Sequence, residues 1–172
     1  MESIKGENAM SDENMMFATE EMQRAAAESA EDNTAEIAMR KFLTFRTDNL
    51  LFGVDAENVV EIITNHVITQ VPMVPTYVRG IINLRGQTIP LMDMRLRLSA
   101  EPRDNDCIIV LNLNEMPIGI LVDTVCQIID IPVDTILPVP VHNAQKYVSG
   151  MTTMPDGTGT MLVLDCELLL AE

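Results

Sequence analysis

The chain has 172 residues, 47% hydrophobic and 22% charged, with 11 Lys and Arg in total and a formal net charge of −15 at pH 7. That balance fits a soluble globular protein and excludes a nucleic-acid binder, which needs cations clustered against phosphates. The same charge opposes an anionic membrane surface, and no apolar run approaches the ~20 residues that span a bilayer. With 3% aromatics and no Trp, the core must be aliphatic.

Residues 1–39 differ from the rest. The first 40 positions carry ten carboxylates against Lys5, Arg24 and Arg40. This stretch reads as an acidic N-terminal tail, disordered or partly helical. Ser11 or Asp12 would cap a helix reaching Ala30, with Met15, Met16, Phe17 and Met22 as a short apolar stripe. The start Met-Glu-Ser lacks the basic and apolar regions of a signal peptide. Cys107, Cys126 and Cys166 are odd in number and lack CxxC spacing, which reads as reduced thiols, in the core or half-buried, in a cytoplasmic protein.

From Lys41 the pattern becomes β. Phe42–Phe45 is a strand, Thr47-Asp48-Asn49 a turn and Leu51–Val54 the returning strand. Asp55 caps a single helical turn over Ala56–Asn58. Val59–Ile63 is a third strand, and Pro72 and Pro75 bracket a loop. Ile81–Leu84 and Thr88–Met92 form a hairpin around Arg85-Gly86-Gln87, and a short helix fits between Asp93 and Leu98.

An internal repeat organises the remainder. A shift of 66 places Gly53-Val54 on Gly119-Ile120, and Val59, Ile62, Ile63 and Pro72 on Val125, Ile128, Ile129 and Pro138. A shift of 70 places Tyr77-Val78-Arg79-Gly80 on Tyr147-Val148-Ser149-Gly150. A shift of 72 places Asp93 on Asp165, and Leu96 and Leu98 on Leu168 and Leu170. Residues 41–98 and 106–170 therefore encode similar units of about five short strands, joined by Glu101-Pro102-Arg103-Asp104. A unit of ~60 residues has a marginal core, so the two should share apolar surface, with a groove between them as a binding place. The matched glycines read as holders of positive-φ backbone.

The positions that fail to match point to function. Glu61 falls on Gln127, Arg79 on Ser149 and Asn83 on Thr153. Alternation along its strand places Glu61 opposite Val60 and Ile62, as an ordinary solvated carboxylate. Arg85, at a hairpin tip, is suited to fork-shaped contacts with a partner. No catalytic constellation emerges: His66 and His142 lie in loops without ligand-spaced partners, no G-x-S-x-G occurs, and Gly157-Thr158-Gly159 reads as a hairpin loop. No cofactor and no metal are expected. Asp93 and Asp165, matched across the repeat, read as caps.

The run Tyr77-Val78-Arg79-Gly80-Ile81-Ile82-Asn83-Leu84-Arg85-Gly86-Gln87-Thr88-Ile89-Pro90-Leu91-Met92-Asp93-Met94-Arg95 closely resembles the CheW family of chemotaxis coupling proteins. Gly53-Val54-Asp55 and Val59-Val60-Glu61-Ile62 match the family's upstream segment. The resemblance covers residues 40–170 and leaves the tail outside. It implies an all-β fold, with two SH3-like five-stranded barrels packed together in a domain over 40–172. It allows the barrels to exchange segments, in which case spatial boundaries differ from sequential ones. It implies a non-enzymatic adaptor between methyl-accepting chemoreceptors, bound at their cytoplasmic tip, and the CheW-like regulatory domain of the histidine kinase CheA. Carried over by position, the receptor-binding residues are Val59, Glu61 and Arg85, with Gly80 nearby. Kinase contacts are apolar barrel-end residues without a sharp motif. The long acidic tail departs from the family pattern, which leaves an adaptor of a non-flagellar chemosensory pathway open. A small β-barrel enzyme regulator or ligand carrier is the alternative of a different class.

Overall fold

The computed structural model describes residues 36–104, 107–140 and 146–171; the helix expected in the tail and His142 lie outside them. Among the described residues ten strands run in chain order: β1 Met39–Thr47, β2 Leu50–Asp55, β3 Val59–Ile63, β4 Val78–Leu84, β5 Gln87–Asp93, β6 Cys107–Leu113, β7 Met116–Val122, β8 Thr124–Pro132, β9 Val148–Thr153 and β10 Thr160–Leu164. Two short helices, α1 Met94–Arg97 and α2 Cys166–Leu170, follow β5 and β10. Each is started by the expected aspartate. Asp93 accepts from the amides of Arg95 and Leu96, and Asp165 from those of Glu167 and Leu168. These bonds satisfy amides that a helix start leaves free. Asp55 does the same for Glu57 at the short 3-10 turn Ala56–Asn58.

The strands form two five-stranded sheets, in the orders β8-β1-β2-β10-β9 and β3-β6-β7-β5-β4, each curled as an SH3-like barrel. Each barrel takes strands from both sequence repeats. The first holds β1 and β2 with β8, β9 and β10; the second holds β3, β4 and β5 with β6 and β7. The halves meet at two parallel seams, β2 with β10 and β5 with β7, and at two antiparallel ones, β1 with β8 and β3 with β6. Gly53 and Gly119, matched by the repeat, sit on the parallel seams. A Cβ on Gly53 would lie 2.5 Å from the Met161 sulfur, and one on Gly119 would lie 3.0 Å from Leu91 Cδ1. Close packing, rather than the expected positive φ, explains both glycines; at the other matched pair Gly80 has φ 144° and Gly150 shows no such value.

Apolar burial follows the same plan. One cluster fills each barrel: Phe42, Ile131 and Met161 in the first, Ile82, Leu91 and Ile108 in the second. The largest lies between them, where Phe45, Phe52 and Val54 of the first barrel pack against Ile109, Leu111 and Ile120 of the second. Neither barrel's own core is large, so the shared layer supplies much of the hydrophobic stabilisation. Arg95, buried, clamps this assembly: it donates to Asp123 (2.6 Å), to Asp48 (3.1 Å) and to the Glu101 carbonyl (2.6 Å) of the connecting segment.

Candidate functional site

Local backbone irregularities aim the side chains singled out in the sequence. In the pairing of β3 with β6, Val59 faces Leu111 and Glu61 faces Val110, so Val60 is an extra, bulged residue. The alternation holds along β3, with Val60 and Ile62 on one face and Glu61 on the other, but it is the apolar face that meets solvent. Glu61 is only 22% exposed at its side chain, whereas the apolar Val60 and Ile62 are 55% and 45% exposed. The expectation of a freely solvated carboxylate therefore fails, because Glu61 has a partner. That partner is Arg85, whose Nη2 lies 3.1 Å from Glu61 Oε2.

Arg85 and Gly86 form the two-residue loop of the β4–β5 hairpin, both at positive φ (52° and 85°), as the favoured hairpin turns require. Asn83 Oδ1 accepts from the Gly86 amide at 3.0 Å and braces the turn. The Arg85 side chain stays 79% exposed. Because β3 and β4 are the opposite edges of their sheet, the pair spans the mouth of the second barrel.

Val59 is half-buried against the shared core and anchors the start of β3. Gly80 is buried and acts through its backbone: a Cβ there would come within 2.2 Å of the Thr69 carbonyl oxygen. Thr69 and Ile81 exchange two backbone hydrogen bonds, at 2.9 and 2.8 Å, beside it. Gly80 thereby lets the loop after β3 lie along β4 and present Val67 and Met73 to solvent. Arg79 is the bulged residue of β4, and its mate Ser149 occupies the bulge of β9. The Arg79 guanidinium stands 3.8 Å from the second oxygen of buried Asp93.

The matched pair Ile63 and Ile129 packs against the barrel cores. Ile62 on β3 and its mate Ile128 on β8 are instead both exposed, the latter at 62%. Each lies on an edge strand of its barrel, so the duplication has produced two equivalent apolar edges. Val133 and Leu137 extend the exposed apolar surface of the first barrel.

A cleft of about 210 Å³ opens elsewhere, lined by Arg40, Phe42, Asp55, Asn58, Asp165 and Glu167 among others. It is polar and open, unlike the enclosed apolar cavity a ligand carrier needs. Cys166 borders it, with its thiol pushed up to about 11 by burial and then by Asp165 and Asp55; such a thiol is a poor nucleophile. Cys107 is half-buried, but Cys126 is exposed on β8, contrary to the expectation for all three. Among the described residues no group of three His, Cys, Asp or Glu is placed to hold a metal ion, and no helix is long and apolar enough to cross a membrane.

Two SH3-like barrels with exchanged strands, offering apolar edges and a charged corner, define a scaffold module that works by adhesion. A family model described as CheW-like domain matches residues 41–172. The chain is 30% identical over 142 residues to the chemotaxis protein CheW of Klebsiella aerogenes, covering 79% of this chain and 84% of that one. It is 31% identical over 136 residues to protein FrzA of Myxococcus xanthus, covering 76% and 85%. The crystal structure of the scaffolding protein TtCheW from Thermoanaerobacter tengcongensis superimposes with a TM-score of 0.72 at 27% identity, over 78% of this chain and 94% of that one. The chain belongs to the CheW family of chemotaxis scaffold proteins and is not an enzyme.

Proposed function

We propose that this chain couples methyl-accepting chemoreceptors to the histidine kinase CheA at the cytoplasmic side of receptor arrays. The receptor's cytoplasmic tip binds at the corner formed by Glu61 and Arg85, with Val59 and Gly80 fixing the backbone behind it. The CheW-like regulatory domain of CheA packs on the exposed apolar edges around Ile62 and Ile128.

The observation that carries this reading is the Glu61–Arg85 pair itself. An ion pair this exposed adds little to stability, about 0–1 kcal/mol. Its charges are free to exchange partners with a helix that carries complementary ones, which sets orientation and association rate. The apolar edges supply the surface that a stable contact needs.

No bond is made or broken. The scaffold transmits a signal only as far as its contacts differ between receptor states, since a coupling free energy requires differential binding. The test is a reconstitution from purified parts: this chain, a receptor signalling fragment and the kinase's regulatory domain. A ternary complex that co-elutes and needs this chain supports the proposal. Receptor and kinase domains that ignore the chain at micromolar concentrations would refute it.

A further inference from the structure

Arg97 ends α1, and its side chain is buried at the junction of the two barrels. Its guanidinium contacts two aromatic rings, with Cζ 4.0 Å from the Tyr77 centroid and 4.6 Å from that of Tyr147. Its Nη2 donates to the carbonyls of Leu169 (2.8 Å) and Ala171, at the end of α2. Tyr77 leads into β4 of the second barrel, and Tyr147 leads into β9 of the first.

The repeat gives this contact its meaning. Tyr77 and Tyr147 are mates, and so are Arg97 and Leu169. Mates that touch one another lie at the centre of the duplication, where each half meets the equivalent part of the other. There the halves differ. The second barrel supplies a cation and the first supplies Leu169, whose backbone carbonyl accepts a hydrogen bond from it. A desolvated guanidinium in contact with two aromatic rings is strongly attached to both. A buried charge cannot easily give up either partner.

We propose that Arg97 is a clasp that couples the two barrels, so that loosening one is felt in the other through this side chain. The device is independent of which partner each barrel binds. The amide of Asp93 donates to the Tyr77 carbonyl at 2.7 Å, and the amide of Asp165 to the Tyr147 carbonyl at 2.9 Å. These two amides report separately on the barrels.

The experiment is native-state hydrogen exchange on the full chain, with each rate referred to the core amide of Ile109. Tyr147→Leu removes one face of the clasp, in the first barrel only. The expected result is exchange at least tenfold faster at Asp165 and also, across the junction, at Asp93. In an Arg97→Met background the same tyrosine substitution should leave Asp93 unmoved. Faster exchange confined to Asp165 in the otherwise native chain would overturn the proposal, as would a rise shared equally with Ile109. The single tyrosine variant decides the matter even where the Arg97→Met chain does not fold.

Discussion

Glu61 and Arg85 stand 24 positions apart in the chain and meet across 3.1 Å at the rim of the second barrel. One comes from edge strand β3 and the other from the tip of the β4–β5 hairpin. Neither side chain is held by the core, so the pair can be altered without altering the fold.

Arg85→Glu sets two carboxylates against each other at an exposed rim. The expected cost to folding is below about 1 kcal/mol, seen as a small shift of the thermal midpoint. Affinity for a receptor fragment, measured by titration calorimetry, should fall about tenfold or more. The double swap Glu61→Arg with Arg85→Glu restores the internal pair with its polarity reversed. Binding should stay weak if the charges face the receptor; full recovery would mean that the pair serves only to shape the rim.

Gly80 and Gly86 lie six residues apart around the same hairpin and make opposite predictions about space. An Ala side chain at Gly86 meets nothing within 4 Å and suffers only from its φ of 85°. At Gly80 it collides with the Thr69 carbonyl as well, at φ 144°. Urea denaturation should show a loss of about 1 kcal/mol for Gly86→Ala. Gly80→Ala should lose about 2–3 kcal/mol and weaken receptor binding by displacing the loop that carries Val67 and Met73. Equal losses at the two positions would contradict the geometry.

The contrast between these residues also shows what the sequence carries. The repeat, the hairpin and all three aspartate caps are local patterns: a turn dipeptide, a cap before an apolar run, an alternation. The exchange of strands between barrels is not local. Shift arithmetic aligns β3 with β8 but cannot say which strand lies beside either. The bulge at Val60 is equally hidden, because it depends on how β6 pairs with β3. Hidden too is which face of β3 meets solvent: Ile62 lies outward and Glu61 reaches Arg85. Arg95 and Arg97 sit in a short helix whose sequence looks solvated. Their burial follows from the junction, where Asp48, Asp123 and two tyrosines were waiting for cations.

Ile62 and Ile128 test the equivalence of the two barrel edges. Glu at either position replaces an exposed apolar side chain, so stability should change by no more than about 0.5 kcal/mol. Binding of the kinase's regulatory domain should weaken about tenfold for each change that removes a central apolar anchor. The two variants together should abolish capture on a sensor surface loaded with that domain. If one edge alone responds, the repeat has kept the apolar residue on the other edge without its binding role.

The three thiols differ enough to be told apart by alkylation. Cys126 is exposed on an edge strand, and Cys166 is half-buried with its thiol pushed up from 9.0 to about 11. Two units depress the thiolate fraction about 100-fold at neutral pH, and limited access slows the reaction further. A maleimide added at pH 7.5 should therefore mark Cys126 first, as read by peptide mass spectrometry, and Cys166 only in denaturant. Raising the pH to 9 should leave Cys166 nearly silent, because burial and the neighbouring Asp165 and Asp55 still hold it protonated. Rapid native labelling of Cys166 would instead mean that α2 opens readily from the barrel, and the carbonyls that Arg97 grips at its end would open with it.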